Sequence, residues 1–273
     1  MPRWMSEDGT ELFYKDWGAG RPIVFSHAWP LSSDAWDPQL VWFASRGFRA
    51  IAHDRRGHGR SSQGWAGHTM DAYPADLAGL LGFLDLRDVV LIGHSAGGGE
   101  VIRYLAQHGE DRISAVVLVG AVVPGLLETP SNPGGVSRAV FDRLREELIR
   151  DRAELFRELS LAFFSANRRG SRVSRGLLQA FWHWAMQAGT KALLDGITAF
   201  SETEFSRDLA NVGLPTLVVH ADDDRIAPIS VSALRAVRLL RNSTLSIYPG
   251  ASHGLPMTHA RQLNQEVLEF IGR

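Results

Sequence analysis

The chain contains no cysteine among its 273 residues. Disulfide bonds, thiol catalysis and cysteine-ligated metals or haem are therefore excluded for these residues. It also lacks an excess of charge, because 29 Lys and Arg against 30 Asp and Glu leave a formal net charge of −1. That balance gives no electrostatic reason to expect nucleic acid or an anionic membrane surface as a partner.

Apolar runs long enough to cross a bilayer are missing as well. Arg3, Glu7 and Asp8 interrupt the N-terminal segment, where a signal peptide would have its apolar core. We therefore expect a cytoplasmic protein. The sequence does not determine the oligomeric state, and it is compatible with a homo-oligomer.

Apolar β-branched segments alternate with segments of helical periodicity over most of the chain, which predicts an α/β fold with a doubly wound, mostly parallel sheet. The predicted buried strands are 22–27, 48–54, 88–92 and 215–221. Further strands are predicted at 115–122 and 244–247, and a hairpin is expected around Asp8 and Gly9. From 124 to 207 the strand pattern disappears. We interpret this stretch as a helical cap inserted into a core formed by residues 1–123 and 208–273, with one or two of its aromatic residues lining a pocket.

Residues 93–97 read Gly-His-Ser-Ala-Gly and lie between a predicted buried strand and a predicted helix. This is the G-x-S-x-G pattern of a nucleophile elbow, in which the central serine stands on a sharp strand-to-helix turn. Bulky side chains at the two glycines would collide with the neighbouring strand and helix. The turn also places the serine at a helix N-terminus, where free N–H groups favour negative charge. Ser95 is therefore the candidate nucleophile.

A serine hydroxyl needs a base, and His253 occupies the late loop, between a predicted strand and the C-terminal helix, where this motif finds its histidine. His94 is expected to be a packing residue. The other histidines are predicted either as satisfied core residues (His27, His53, His220) or as surface and loop residues (His58, His68, His108, His183, His259).

The acid that orients such a histidine is expected at the end of the strand 215–221, where three aspartates follow one another. Asp222, Asp223 and Asp224 compete for this role. We favour Asp224, because the chain turns directly after it. The resulting order Ser, Asp, His is typical of the α/β-hydrolase arrangement.

We interpret two charged segments as structural features rather than as parts of the active site. Residues 54–62 (Asp-Arg-Arg-Gly-His-Gly-Arg-Ser-Ser) are typical of a tight, hydrogen-bonded turn after a strand. The arginines at 168, 169, 172 and 175 are predicted to form a solvated face, because acids balance the rest of the cap.

Segments 25–30, 54–61, 93–100, 131–135, 199–203 and 248–251 resemble the cofactor-free haloperoxidases, also described as arylesterases and perhydrolases, of the α/β-hydrolase superfamily. The similarity extends from about Thr10 to the C-terminus. It implies a catalytic triad and a substrate pocket without metal or other cofactor. The triad implied is Ser95, Asp224 and His253, the oxyanion donors are the backbone N–H groups of Trp29 and Ala96, and the pocket positions are Pro30, Val122, Phe200 and Ile226.

Three positions depart from the family pattern. Members usually have Gly at the positions of Ala28 and Ala221 and commonly Met at that of Ala96. The backbone donors survive these changes, but the preference for substrate is affected.

The resemblance implies hydrolysis of a small carboxylic ester through an acyl-enzyme, with hydrogen peroxide as a second acceptor that yields a peracid able to oxidise halide. Alternatives are a lactonase, lactamase or carbon–carbon bond hydrolase with the same triad, or a small-molecule receptor with little turnover. A dehalogenase would need a carboxylate in place of Ser95. Pro30 either shapes the loop for peroxide, since it pushes Trp29 toward extended angles, or merely stiffens it.

Overall fold

A sheet of eight strands forms the centre of residues 2–272, the part of the chain that this computed structural model describes. Its order is β1-β2-β4-β3-β5-β6-β7-β8. Only β1 with β2 and β2 with β4 pair antiparallel, and all other neighbours are parallel. The strands are β1 (Arg3–Met5), β2 (Glu11–Gly18), β3 (Arg21–Ser26), β4 (Phe48–His53), β5 (Val89–His94), β6 (Ile113–Val119), β7 (Thr216–Ala221) and β8 (Ser243–Tyr248).

Helices cover both faces of this sheet, as the predicted doubly wound fold requires. They are α1 (Asp37–Ala44), α2 (Ala72–Phe83), α3 (Ala96–His108), α4 (Arg138–Phe163), α5 (Arg175–Met186), α6 (Thr190–Glu202), α7 (Ser206–Asn211), α8 (Ala233–Leu239), α9 (Leu255–Thr258) and α10 (Ala260–Ile271). A short 3-10 helix, Ser33–Trp36, precedes α1.

The central strands are buried on both faces, which explains why they are continuous apolar runs rather than alternating ones. Every residue of β5 and of β7 is buried. Leu91 and Val116 belong to the apolar core on one face, and Val90 and Ile92 belong to the core on the other. The prediction of an α/β fold with a mostly parallel sheet is confirmed.

Helices α4 to α7 follow β6 and precede β7, and α4, α5 and α6 lie within the stretch predicted as a cap. Helix α4 is interrupted at Asp151, whose backbone angles (φ −160°, ψ 86°) are not helical. The division at 123/124 and 207/208 remains a prediction. Its second boundary falls inside α7, which packs on α3 and α8.

His58 and His68, predicted as surface or loop residues, lie in the loop between β4 and α2, but the surface alternative is wrong because both are buried. The cap covers this loop: the Gly189 N–H, at the start of α6, donates to the Gly57 carbonyl over 2.8 Å. A β-carbon at Gly57 would lie only 2.2 Å from the Ala192 β-carbon. Such cover comes from residues more than a hundred positions away, which the local sequence does not reveal.

Of the helices within residues 2–272, none combines the length and the apolar character that a membrane span needs.

Candidate active site

Ser95 stands between the last residue of β5 and the first residue of α3, in a left-handed backbone conformation (φ 56°, ψ −118°) that L-residues rarely adopt. Its N–H donates to the Val119 carbonyl over 3.0 Å, and its own carbonyl accepts from Gly98 N–H over 2.9 Å. These bonds to β6 and α3 hold the turn in place.

Close packing explains the two glycines of the turn. A β-carbon at Gly93 would lie 2.4 Å from the Gly97 carbonyl oxygen, and one at Gly97 would lie 2.3 Å from the Ser26 carbonyl oxygen. Both distances are shorter than any real contact of that kind, so neither position accepts a side chain. The backbone of α3 therefore runs directly against the end of β3.

His253 and Asp224 meet through a hydrogen bond of 2.6 Å between Nδ1 and Oδ2. Asp224 follows β7, and His253 lies in the loop between β8 and α9. Both side chains are fully buried. Because the carboxylate can only accept, Nδ1 carries the proton and Nε2 is left free to act as a base.

The loop after β7 prepares Asp224 for this contact. Its Oδ1 accepts from the N–H groups of Ile226 (2.9 Å) and Ala227 (2.8 Å), and His220 Nε2 lies 3.4 Å from Oδ2. Burial by itself raises the pKa of the Asp224 carboxyl, but the neighbouring His253 imidazole and its hydrogen bond outweigh burial and hold the pKa below its usual value. The carboxylate is therefore ionised.

The two competing aspartates have other partners. Asp222 is exposed, and its Oδ1 accepts from the Gly250 N–H over 2.7 Å. Asp223 accepts from Ser165 and forms an ion pair with Arg168. Neither carboxylate is hydrogen-bonded to a histidine among the contacts of residues 2–272.

His94 connects the elbow to the loop of His253. Its Nε2 donates to the His253 carbonyl over 2.9 Å, and the two rings lie 5.0 Å apart. Burial lowers the pKa of His94 to about 3, so the ring is neutral. It is buried, as expected of a packing residue.

His253 Nε2 is buried and has no hydrogen-bond partner among residues 2–272, so its bond to the Ser95 hydroxyl is not formed in this structure. Such bonds are often long in unliganded enzymes and shorten when substrate binds. Phe163 packs edge-on against the His253 ring, with centroids 4.8 Å apart, and shields it from water.

The two predicted oxyanion donors are the backbone N–H groups of Trp29 and Ala96. Trp29 lies three residues beyond the end of β3, and Ala96 is the first residue of α3. Within the described part of the chain, neither N–H donates to a backbone carbonyl. A free N–H at a helix N-terminus is suited to bind a developing oxyanion.

A cavity of about 340 Å³ opens beside Ser95 and Trp29. Its wall includes three of the four predicted pocket residues, Val122, Phe200 and Ile226. Pro30, the fourth, is buried and follows Trp29 through a cis peptide bond. It is not among the residues that line this cavity, whereas Trp29 is.

Helix α4 supplies much of the remaining wall, which the sequence did not identify. Of the cap aromatics, Phe163 and Phe200 line the cavity, whereas Trp182 is partly exposed. The additional apolar lining residues are Leu126, Val136, Val140, Phe141, Leu144, Leu155 and Leu159. Five of them lie in α4, Val140, Phe141 and Leu144 before the interruption at Asp151 and Leu155 and Leu159 after it, and their helical spacing is the signal that could have found them.

Four charged residues also line the cavity, of which Arg143, Glu158 and Arg225 are exposed and Glu147 is half-buried. Apart from these and Ser95, the lining residues are aliphatic or aromatic. In the described residues, no group of three or more His, Asp or Glu side chains is arranged to hold a metal ion.

Comparison with known proteins places the chain in a family. Residues 21–260 match the family model described as the alpha/beta hydrolase fold. A non-heme haloperoxidase of Rhodococcus erythropolis is 50% identical over 99% of both chains. A bifunctional esterase/perhydrolase of Acinetobacter calcoaceticus is 42% identical over 97% of this chain and 98% of its own.

Among solved structures, a bromoperoxidase from Bacillus anthracis superimposes with a TM-score of 0.95 at 38% identity and covers 100% of both chains. Family, length and architecture thus agree from end to end. The chain belongs to the non-heme haloperoxidases of the α/β-hydrolase family.

Proposed function

We propose that this protein is a serine hydrolase that cleaves small carboxylic esters through an acyl-enzyme on Ser95 and transfers the acyl group to hydrogen peroxide as well as to water. The observation that carries the proposal is the buried His253–Asp224 pair, whose free Nε2 faces no competing partner among residues 2–272, beside an elbow serine at an apolar cavity. The names of the relatives, haloperoxidase and esterase/perhydrolase, support it.

In the first step the Ser95 hydroxyl oxygen attacks the ester carbonyl carbon while His253 Nε2 takes the hydroxyl proton. The carbonyl oxygen becomes an oxyanion, which the N–H groups of Trp29 and Ala96 stabilise. Asp224 keeps the His253 ring in the required tautomer and stabilises its positive charge. The ester C–O bond then breaks, and the alcohol leaves with the proton from His253.

In the second step His253 removes a proton from water, whose oxygen attacks the acyl carbon. The bond between the acyl carbon and Ser95 Oγ then breaks, the acid is released, and His253 returns the proton to the Ser95 oxygen. When hydrogen peroxide attacks instead, the product is a peracid. The peracid then oxidises a halide ion in solution to hypohalous acid and is itself reduced to the carboxylate. Halide oxidation follows from acyl transfer, so the chain needs no redox group of its own for it.

The cavity indicates the substrate class. An apolar cavity of about 150 Å³ accepts benzene, and the volume here is about 340 Å³. The lining here is aliphatic or aromatic apart from Ser95 and four charged residues, three of which are exposed to solvent. We therefore infer an ester with an apolar acyl or aryl group rather than a charged one.

The test is covalent labelling combined with turnover. An alkyl phosphonate fluoride should add one group, found by mass spectrometry on the peptide that contains Ser95. Ser95→Ala should lower hydrolysis of an aryl ester by roughly 10⁵- to 10⁶-fold. His253→Asn retains the serine but removes its base, so labelling should become slow.

An inhibited enzyme without a label on Ser95 would refute the proposal. Labelling without measurable turnover of esters, lactones or peroxide mixtures would indicate a receptor instead.

A further inference from the structure

The two proposed oxyanion donors belong to different elements. The Trp29 N–H lies in the segment that follows β3, and the Ala96 N–H begins α3. A donor must lie about 2.7–3.1 Å from the oxyanion to stabilise it. The rate of the reaction therefore depends on how firmly the end of β3 is fixed relative to the start of α3.

Glu100 lies one helical turn after Ala96 in α3 and has an exposure of 0%. Its Oε2 accepts from the Ser26 hydroxyl (2.7 Å), at the last residue of β3, and from Arg55 Nε (2.8 Å). Its Oε1 lies 3.1 Å from His53 Nε2. Burial alone raises the pKa of the Glu100 carboxyl, but the Arg55 guanidinium and the hydrogen bonds from His53 and Ser26 outweigh burial and hold the pKa at about 2. This ionised carboxylate joins α3 to β3.

Arg55 extends the connection toward the oxyanion loop. One of its terminal nitrogens donates to the His27 carbonyl over 2.8 Å, and its backbone N–H donates to His27 Nε2 over 3.0 Å. His27 Nδ1 in turn donates to the Ala28 carbonyl over 2.8 Å. The chain of bonds that begins at Glu100 thus ends one residue before Trp29.

We infer that Glu100 and Arg55 are positioning residues that fix the two oxyanion donors relative to each other. The inference rests on the proposed function, since it assumes that the N–H groups of Trp29 and Ala96 bind the oxyanion. The pair touches neither substrate nor the reacting atoms. It acts through Ser26 and His27, which form the backbone leading to Trp29.

The next residue in the chain provides a matched control. Arg56 forms an equally buried ion pair with Asp76, with both hydrogen bonds at 2.6 Å. The other side-chain partner of Arg56 within residues 2–272 is Asp8, so this pair binds neither Ser26 nor His27. Asp76→Asn and Glu100→Gln therefore make the same chemical change, one beside the oxyanion loop and one away from it.

The experiment compares the two variants in hydrolysis of 4-nitrophenyl butanoate and in binding of an aryl boronic acid, which forms a tetrahedral adduct with the serine. Loss of a whole oxyanion donor costs about 10²- to 10³-fold in kcat, so its displacement should cost about 10- to 100-fold. Glu100→Gln should show this loss in kcat, with KM changed less than about twofold, and boronate affinity should fall by a similar factor. Asp76→Asn should stay within about threefold in all three quantities, although both variants should have a lower Tm.

Equal kinetic losses in the two variants, or a Glu100→Gln effect confined to KM with unchanged boronate affinity, would overturn the inference. Ser26→Ala provides a milder test in case Glu100→Gln does not fold, because it keeps the Glu100–Arg55 ion pair and removes only the two hydrogen bonds of the Ser26 hydroxyl, which donates to Glu100 and accepts from Arg55. We expect it to lower kcat about three- to tenfold, and an unchanged kcat would also overturn the inference. Failure of the proposed function itself is distinguishable, since the unaltered protein would then neither turn over the ester nor accept a label on Ser95.

Discussion

Replacing Asp224 with asparagine is expected to lower kcat by about 10⁴-fold while the protein stays folded. Asparagine has the same shape, so its side-chain oxygen can still accept from the N–H groups of Ile226 and Ala227, now at 2.9 and 2.8 Å. In the unaltered protein Asp224 Oδ2 lies 2.6 Å from His253 Nδ1 and accepts its proton. In the variant an amide nitrogen, which donates, takes the place of Oδ2.

This exchange of an acceptor for a donor favours the other tautomer of the His253 imidazole. Nδ1 must then accept, so the proton moves to Nε2 and the ring can no longer take the Ser95 proton. The loss of 10⁴-fold corresponds to about 5.4 kcal/mol of transition-state stabilisation. Little of this is expected in KM, because Asp224 does not line the cavity.

The neighbouring acids are matched controls on the same loop. Asp222→Asn removes a charge whose partner is the Gly250 N–H, 2.7 Å away, and Asp223→Asn removes the partner of Arg168. Both should stay within about tenfold of the unaltered kcat, because neither change alters the tautomer of His253.

The assay measures initial rates of aryl ester hydrolysis for the three variants, with thermal unfolding of each to show that the fold is retained. A larger loss in Asp222→Asn or Asp223→Asn than in Asp224→Asn would refute the reasoning. An Asp224→Asn variant within about tenfold of the unaltered rate would show that His253 needs no buried acid.

Three further predictions follow from the structure. Burial lowers the pKa of His58 and of His94 to about 3. The unfolded chain therefore binds more protons than the native state between the ordinary histidine pKa of about 6.5 and pH 3, and the free energy of unfolding should fall by about 1.4 kcal/mol per pH unit for each histidine as pH decreases through that window. Urea unfolding between pH 7 and 4 measures this, and a constant value would contradict it. For ethyl esters of increasingly long aliphatic acids, kcat/KM should rise about fourfold per methylene until the cavity is full, because burying each methylene contributes about 0.8 kcal/mol. An optimum at acetate would show that the acyl chain does not occupy the cavity. Pro30→Leu should reduce peracid formation more than ester hydrolysis, because it frees the φ angle after Trp29, and equal losses would leave Pro30 a structural role.

The elbow could be predicted from sequence because its determinants are local. The strand before Ser95, the helix after it and the two glycines lie within about twenty residues, and the collisions that a β-carbon at Gly93 or Gly97 would cause involve the turn itself and the adjacent β3. The place of Asp224 followed for the same reason, since its carboxylate is fixed by the N–H groups two and three residues later.

The structure of the cap could be predicted from the sequence only in part. Its helices were expected, but the interruption of α4 at Asp151 and the side of the cavity that each half of the helix forms depend on packing against distant elements. The burial of His58 and His68 could not be predicted, because it is the distant helix α6 that covers their loop. Burial by a distant segment leaves no periodic pattern in the covered residues themselves.

The turn that begins at Asp54 illustrates how one motif carries more than one role. The predicted hydrogen-bonded turn exists: the Asp54 carboxylate accepts from Ser33 N–H over 2.8 Å and from Arg60 N–H over 2.7 Å. Inside it, the two adjacent arginines point to different partners, Arg55 to Glu100 beneath the elbow and Arg56 to Asp76. The sequence does not distinguish the roles of these two arginines. Their partners do: Arg55 contacts the carboxylate that we propose positions the oxyanion donors, whereas Arg56 contacts a carboxylate away from that site. A turn assigned to architecture can therefore also position the reacting groups, because α3, β3 and this turn share one buried carboxylate.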